Sequence, residues 1–234
     1  ASNESGIYFA VAAKPARRIT INAYIDRSVF PWLRYRIDAP SHGSDFLVQV
    51  NFIPDKKTDM YFRFRHRDKF TNANDPDALL DYIVPLTQDN WRFHIQYPAG
   101  KHFRLRNRVE FSRYHPANEK VENGFVILQD ITWKRFGFPL SVTGRYALFQ
   151  TDSYSTAIYT YENDMPYSFS IPAYYYSGSR WYLLINWDIT RKVEVYFRIS
   201  RTIYSNQEII SPGTLNEITG NTKTEAKVML RIKL

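Results

Sequence analysis

Residues 103–111 read F-R-L-R-N-R-V-E-F. Phe103, Leu105, Val109 and Phe111 share one parity, and Arg104, Arg106, Arg108 and Glu110 share the other. Successive side chains of a strand point to opposite faces, so as a strand this stretch turns its three arginines one way together. A soluble sheet tolerates that pattern with the arginines in water and the rings on a core. A bilayer tolerates it only if all three arginines leave the lipid together, because one facing lipid near the midplane costs on the order of 2–4 kcal/mol. The stretch therefore fixes register more firmly than the apolar residues do.

The same period of two runs through the chain. At 224–234, Thr224, Ala226, Val228, Leu230, Ile232 and Leu234 alternate with Glu225, Lys227, Met229, Arg231 and Lys233. Ile19, Ile21, Ala23 and Ile25 oppose Thr20, Asn22, Tyr24 and Asp26. Phe62 and Phe64 oppose Arg63, Arg65 and Arg67, and Trp91, Phe93, Ile95 and Tyr97 oppose Arg92, His94 and Gln96. Leu140, Val142, Tyr146 and Leu148 oppose Thr143 and Arg145, while Val193, Val195, Phe197 and Ile199 oppose Glu194, Tyr196, Arg198 and Ser200. Residues 156–161 read as a Tyr-rich strand, and 168–176 as an extended run through Pro172.

About twelve strand-like segments result, each of roughly nine to eleven residues, against about five or six in globular strands. Tight turns at Pro54-Asp55, 98–100, 137–139 and 190–192 alternate with long polar loops at 68–89, 115–123 and 204–223. Within 68–89, residues 77–83 read as a short helix or a strand extension. Short turns at one end and long loops at the other are the pattern of outer-membrane barrels. No run of eighteen apolar residues exists, so no transmembrane helix is expected, but alternating strands escape such a window.

Composition bears on the choice of solvent. Tyr 18, Phe 16 and Trp 5 make 17% of 234 residues, a load that suits aromatic girdles at two membrane interfaces. Mean hydropathy is −0.44, as alternation averages out. Lys+Arg 31 against Asp+Glu 23 gives +8, which admits anionic solutes, anionic lipid or nucleic acid. Without cysteine there is neither a disulfide framework nor a thiolate metal site. The first residues carry no secretory signal pattern, and strand-like sequence begins at 6–13. The expectation is a single domain over 1–234, the C-terminal part of a longer protein.

With lipid on the aromatic parity, the lumen receives Arg63, Arg65, Arg104, Arg106, Arg108, Arg145, Arg198, Lys227 and Arg231, with Glu110, Asp130 and Glu194 among its carboxylates. This face reads either as an anion-attracting pore or as an internal network of arginine–carboxylate pairs that fills the barrel. Strand parity already explains the interleaving of basic and aromatic residues, so nucleic acid is not expected as a partner of this segment. His42, His66, His94, His102 and His115 lie scattered without metal-ligand spacing. No metal, cofactor or catalytic residue is assigned. Ser112 and His115, three apart near a loop, are the only hydrolase candidates, and they lack a third orienting group.

The segments G-F-V-I-L-Q-D-I at 124–131, G-R-Y-A-L-F-Q-T-D-S-Y at 144–154, Y-E-N-D-M at 161–165, S-G-S-R-W-Y-L-L at 177–184 and G-N-T-K-T-E-A-K-V at 220–228 occur in this order. They resemble the C-terminal barrel region of Bacteroidota outer-membrane proteins described as helix-hairpin-helix domain-containing. The resemblance implies a barrel in the bacterial outer membrane and transfers no activity. The helix-hairpin-helix segment that precedes the barrel in that family has no counterpart here, so nucleic-acid binding does not carry over. Leu234 stands where outer-membrane barrels commonly end on an aromatic residue.

The expectation is an all-β, transmembrane, antiparallel up-and-down barrel in contact with outer-membrane lipid and lipopolysaccharide. Either the barrel closes on these strands, or further residues complete it, since an unpaired edge in lipid is costly. Three roles are carried forward: a non-enzymatic structural or interaction component of an outer-membrane complex, with other outer-membrane proteins as partners; a porin-like passage for small anionic or polymeric solutes; and an outer-membrane hydrolase.

Overall fold

The computed structural model describes residues 3–73, 75, 78–80, 82–117 and 120–233. In chain order the strands are β1 (Ser5–Ala16), β2 (Ile19–Phe30), β3 (Ser41–Phe52), β4 (Asp59–Asn72), β5 (Ile83–Ala99), β6 (Phe103–Pro116), β7 (Glu122–Lys134) and β8 (Leu140–Thr151). There follow the short β9 (Ile158–Tyr159) and β10 (Ala173–Tyr174), then β11 (Ser177–Asp188) and β12 (Val193–Tyr204). The short β13 (Ile209–Ile210) and β14 (Ile218–Thr219) precede β15 (Thr222–Ile232). Eleven of these form one antiparallel sheet in the order β1-β2-β3-β4-β5-β6-β7-β8-β11-β12-β15. β1 and β15 are its two edges, and β9 with β10 and β13 with β14 are separate two-stranded pairs. Pro15 sits where the β1 register slips between Ala13 and Ala16, an edge irregularity that accommodates its missing N–H.

The up-and-down meander read from the alternation is present, and short and long connections segregate to opposite ends. β4 and β5 are longer than the sequence suggested, because residues 68–72 pair with 83–87. The polar loop read at 68–89 is therefore two strand ends and a shorter connection. Asp77 and Asp81, within the segment read as a helix or strand extension, lie outside the described residues, as does Leu234. Residues 156–161 and 168–176 are not in the wall. They belong to the β8–β11 connection, which lies across one face of the sheet and contributes only β9 and β10.

That covered face is the inner one, and it carries the arginine parity. The outer face carries the rings. Phe64 packs on Trp91 and Trp91 on Phe111, with centroids 5.5 and 5.4 Å apart, and Phe46 meets Phe64 at 6.5 Å. Trp133 meets Phe138 at 5.5 Å near the short-turn end, beside Phe103 in register. From Phe103 to Phe111 is eight residues of strand, about 27 Å at full extension, close to the apolar band of roughly 25 Å that a barrel presents to lipid. Beyond the loop-side ring row, Arg113 stands in register with Asp89 and Asn123. Midway between the two rows, Gln129 Nε2 donates to Asn107 Oδ1 at 3.0 Å, so this outward polar pair satisfies itself.

The buried apolar cluster lies between the wall and the inserted connection. Val126 and Leu128 of β7, and Ala147 and Phe149 of β8, meet Ile158, Tyr174, Tyr204 and Ile210. A single 3₁₀ turn at Tyr154–Thr156 starts the insertion, its cap Ser153 accepting the Ser155 N–H at 3.0 Å. Gly124 makes the approach possible, since a Cβ there would stand 2.6 Å from the Thr156 carbonyl oxygen.

Candidate functional site

The inner face divides into two electrostatic halves. From β8 to β15 every described arginine on this face has an acid. Arg145 grips Asp130 through Nε and Nη2 at 2.5 and 2.9 Å, and its Nη1 donates to Thr160 Oγ1 and the Tyr161 carbonyl at 3.0 and 2.9 Å. Arg180 grips Glu162 through Nε and Nη2 at 2.8 and 2.9 Å, and Arg198 Nη2 donates to the same carboxylate at 2.5 Å. Tyr174 donates its hydroxyl to Glu162 at 3.0 Å. Asp164 takes Lys227 at 3.0 Å and stands 3.7 Å from Arg198. Glu194 pairs with Arg231 and Lys233 and accepts the Tyr196 hydroxyl.

Glu162 is the hub, with no exposed surface, and it comes from the inserted connection instead of the wall. Burying a carboxylate is tolerable here because two guanidiniums and a phenol fill its lone-pair directions. The insertion thus neutralises arginines that the strands of this half leave in excess.

The other half, β4 to β6, is different. Arg65 pairs with Asp45, Arg92 grips Glu110 through Nε and Nη2 at 2.6 and 2.8 Å, and Arg106 reaches Asp130 at 3.2 Å. Arg63, Arg67, Arg104 and Arg108 form no ion pair among the described residues. Arg63 Nε donates to Gln49 at 2.7 Å, and its guanidinium lies 5.6 Å from the Tyr61 ring centroid. Arg67 Nη2 donates to Gln88 at 2.5 Å, whereas its Nε is buried without a partner. Arg108 reaches the Tyr61 hydroxyl at 3.5 Å, and its Nε is buried and unpartnered too. Arg104 is exposed near the short-turn end. Arg63 and Arg67, but not Arg104 or Arg108, line an open cavity of about 410 Å³ that the insertion bounds on its other side.

All twelve residues assigned to the lumen from parity therefore share the inner face, but they do not form one site. Arg145, Arg198 and Lys227 hold the insertion, Glu194 and Arg231 pair near the short turns, and Arg63 and Arg65 line the cavity. Sequence reasoning left Arg67, Arg92, Arg180, Glu162 and Asp164 out of the site. The available signal was Y-E-N-D-M itself, two acids on one parity within a chain whose strands carry too few carboxylates for their arginines. The hydrolase pair fails geometrically. Ser112 is buried on the inner face and His115 is exposed on the opposite parity, so the two side chains diverge. His94 stacks on Tyr61 at 4.7 Å, and His66 lies between Asp68 and Asp89 on the outer parity. No cluster of three metal-ligating side chains occurs among the described residues.

No protein-family model and no curated protein matches the sequence. Among solved structures the chain is similar to the ferric-catecholate import receptor Fiu from E. coli K12 in its open form. The TM-score is 0.55 with 9% identity, over 98% of this chain and 49% of that one. It is also similar to the copper transporter OprC, with a TM-score of 0.50 and 9% identity, over 96% of this chain and 40% of that one. The chain spans half or less of the length of these proteins. At such identity the likeness speaks for the fold, and with the two-row aromatic face it gives the chain the wall architecture of an outer-membrane β-barrel.

Proposed function

We propose that the chain forms wall of a non-enzymatic barrel in the bacterial outer membrane, whose inner face admits small anionic solutes. One observation carries this reading: the contrast between the two halves of that face. The β8 to β15 half is internally neutralised, whereas β4 to β6 retain arginines without acids beside an open cavity. A narrow barrel filled purely for stability would pair its arginines throughout. Uncompensated charge in a cleft raises the local concentration of opposite charge. Fiu is named as an import receptor and OprC as a transporter, which supports a transport role in general and not their cargoes. The resemblance to the Bacteroidota barrel proteins supports the same location, with lipid and lipopolysaccharide around the aromatic face.

The full-length protein reconstituted in planar bilayers tests the reading. Reversal potentials in a salt gradient should show anion preference, diminished in Arg63→Gln and Arg67→Gln. Cation preference, or no permeability to anions in bilayers and liposome-swelling assays alike, would refute it. A second role, contact within an outer-membrane complex, is favoured by the long connections. Asn72 ties the β2–β3 and β4–β5 connections together through Asp38 and the Arg36 carbonyl. Trp32, Tyr35, Leu79 and Leu80 project there with 68%, 85%, 100% and 83% of their surface exposed. Cross-linking through these residues in intact membranes, followed by mass spectrometry, should capture outer-membrane proteins if that role holds.

A further inference from the structure

The cavity beside β4 is more specific than a charged surface. One wall is the Arg63, Arg65, Arg67 row, the floor includes the amide side chains of Gln88 and Asn90, and the opposite wall is Tyr154 and Tyr159 of the insertion. Arg65 and Arg92 are committed to Asp45 and Glu110, so two positive charges, those of Arg63 and Arg67, remain unmatched at the cavity. Arg67, a lining residue, has only Gln88 as side-chain partner among the described residues, and its Nε is buried without one. Such an orphan donor costs stability unless something accepts from it. The Tyr154 and Tyr159 hydroxyls stand 2.7 Å apart and join the two rings at the cavity edge, each ring about half exposed. The volume lies within the range of sites for small organic ligands, about 300–1,000 Å³.

We infer that this cavity is a binding site for a small organic oxyanion of the phosphate class, its two charges on Arg63 and Arg67 and its planar part against Tyr154 and Tyr159. The inference rests on the anion-admitting reading and names its site and ligand class. Guanidinium forks match phosphate oxygens in spacing and direction, and the amides supply neutral donors beside them. Tyrosine faces favour a planar group over bulk water, which gives a ring-bearing anion an advantage over the inorganic ion. The insertion thus has two tasks: Glu162 anchors it, and its tyrosines complete the site.

The test uses full-length protein in detergent, with phenyl phosphate, inorganic phosphate and phenol as probes in calorimetric titration at low salt. Phenyl phosphate should bind at least tenfold more tightly than either other probe, and its affinity should fall with added salt. Arg63→Gln with Arg67→Gln should weaken it at least tenfold, and Tyr154→Ala with Tyr159→Ala should erase the preference over inorganic phosphate. Arg104→Gln, outside the cavity, should leave both unchanged. If the double glutamine variant does not fold, Arg63→Lys with Arg67→Lys keeps the charge and should still weaken binding by losing the forks. Equal loss in Arg104→Gln, or undiminished binding in the cavity variants, overturns the site. Anion-selective conductance without phenyl phosphate binding overturns the site alone. Binding that depends on Arg63 and Arg67 in a protein without anion conductance overturns the passage reading and leaves the site standing.

Discussion

Removing the Glu162 carboxylate probes the central clamp. In Glu162→Ala the guanidiniums of Arg180 and Arg198, with side chains 8% and 1% exposed, lose their shared acid and stay buried. Breaking a buried pair in this way costs about 3–5 kcal/mol. At 1.36 kcal/mol per tenfold, the population in which the insertion is undocked should rise by roughly 10²–10⁴. Tyr174 reports this, because it is 1% exposed when docked and its hydroxyl bonds Glu162. Brief chymotrypsin treatment of the folded protein in detergent, with cleavage sites mapped by mass spectrometry, should leave Tyr174 uncut in the wild type and cut it rapidly in Glu162→Ala. Glu162→Gln keeps shape and some hydrogen bonds, so it should fall between the two. Glu225→Gln serves as the control, since its pair with Lys223 is about half exposed and exposed pairs contribute roughly 0–1 kcal/mol. If Glu162→Ala protects Tyr174 as well as the wild type does, the clamp does not hold the insertion and the two-half description of the inner face fails.

Gly124→Ala pushes a methyl against the Thr156 carbonyl, and should loosen the 3₁₀ turn by about 1–3 kcal/mol, seen as the same chymotrypsin sensitivity without loss of the wall. On the outer face, Gln129→Leu strands Asn107 in lipid and should destabilise the protein by about 1–3 kcal/mol in urea titrations from vesicles. Asn107→Leu with Gln129→Leu should recover most of that loss. In the β3–β4 turn, Asp55 accepts the backbone N–H groups of Lys57 and Thr58 at 2.7 and 2.9 Å, and the Lys57 N–H chiefly holds its carboxyl below the usual range. A carboxylate depressed in the folded state stabilises the turn above its ordinary pKa, and that stability is lost as pH falls through the folded value. Carboxyl carbon NMR should give Asp55 a midpoint below that of free aspartate, and Asp55→Asn should remove the pH dependence of the turn.

Much of the wall was legible because one physical demand, keeping arginine out of lipid, acts on every strand. R-L-R-N-R could satisfy it in only one register, and the structure has that register. The connections obey no such demand. Asp68 and Asp89 look like loop residues because they are acids, yet they sit on strand ends past the ring row, where an outward charge meets water. Residues 156–161 alternate like wall, but here the alternation serves a segment packed between an apolar patch and a polar lumen. Val126 and Leu128 mark that patch as inward-facing aliphatics, a signal that the rings of Phe125 and Ile127's parity obscured. Y-E-N-D-M signalled spare carboxylates, but which arginines Glu162 takes depends on how the insertion folds back over β11 and β12, and strand alternation does not encode that.

That last point bears on the order of events during assembly. Glu162 is made before either of its guanidinium partners, Arg198 following 36 positions later, and Lys227 follows Asp164 by 63. The insertion cannot finish docking until β12 and β15 have joined the wall. Conversely, Arg198 has no acid to turn toward until the insertion is inside. These two strands and the insertion must then be threaded together, so an error in either delays both. Two neighbouring carboxylates, Glu162 and Asp164, make the joining of β12 and β15 to the sheet and the docking of the insertion one event.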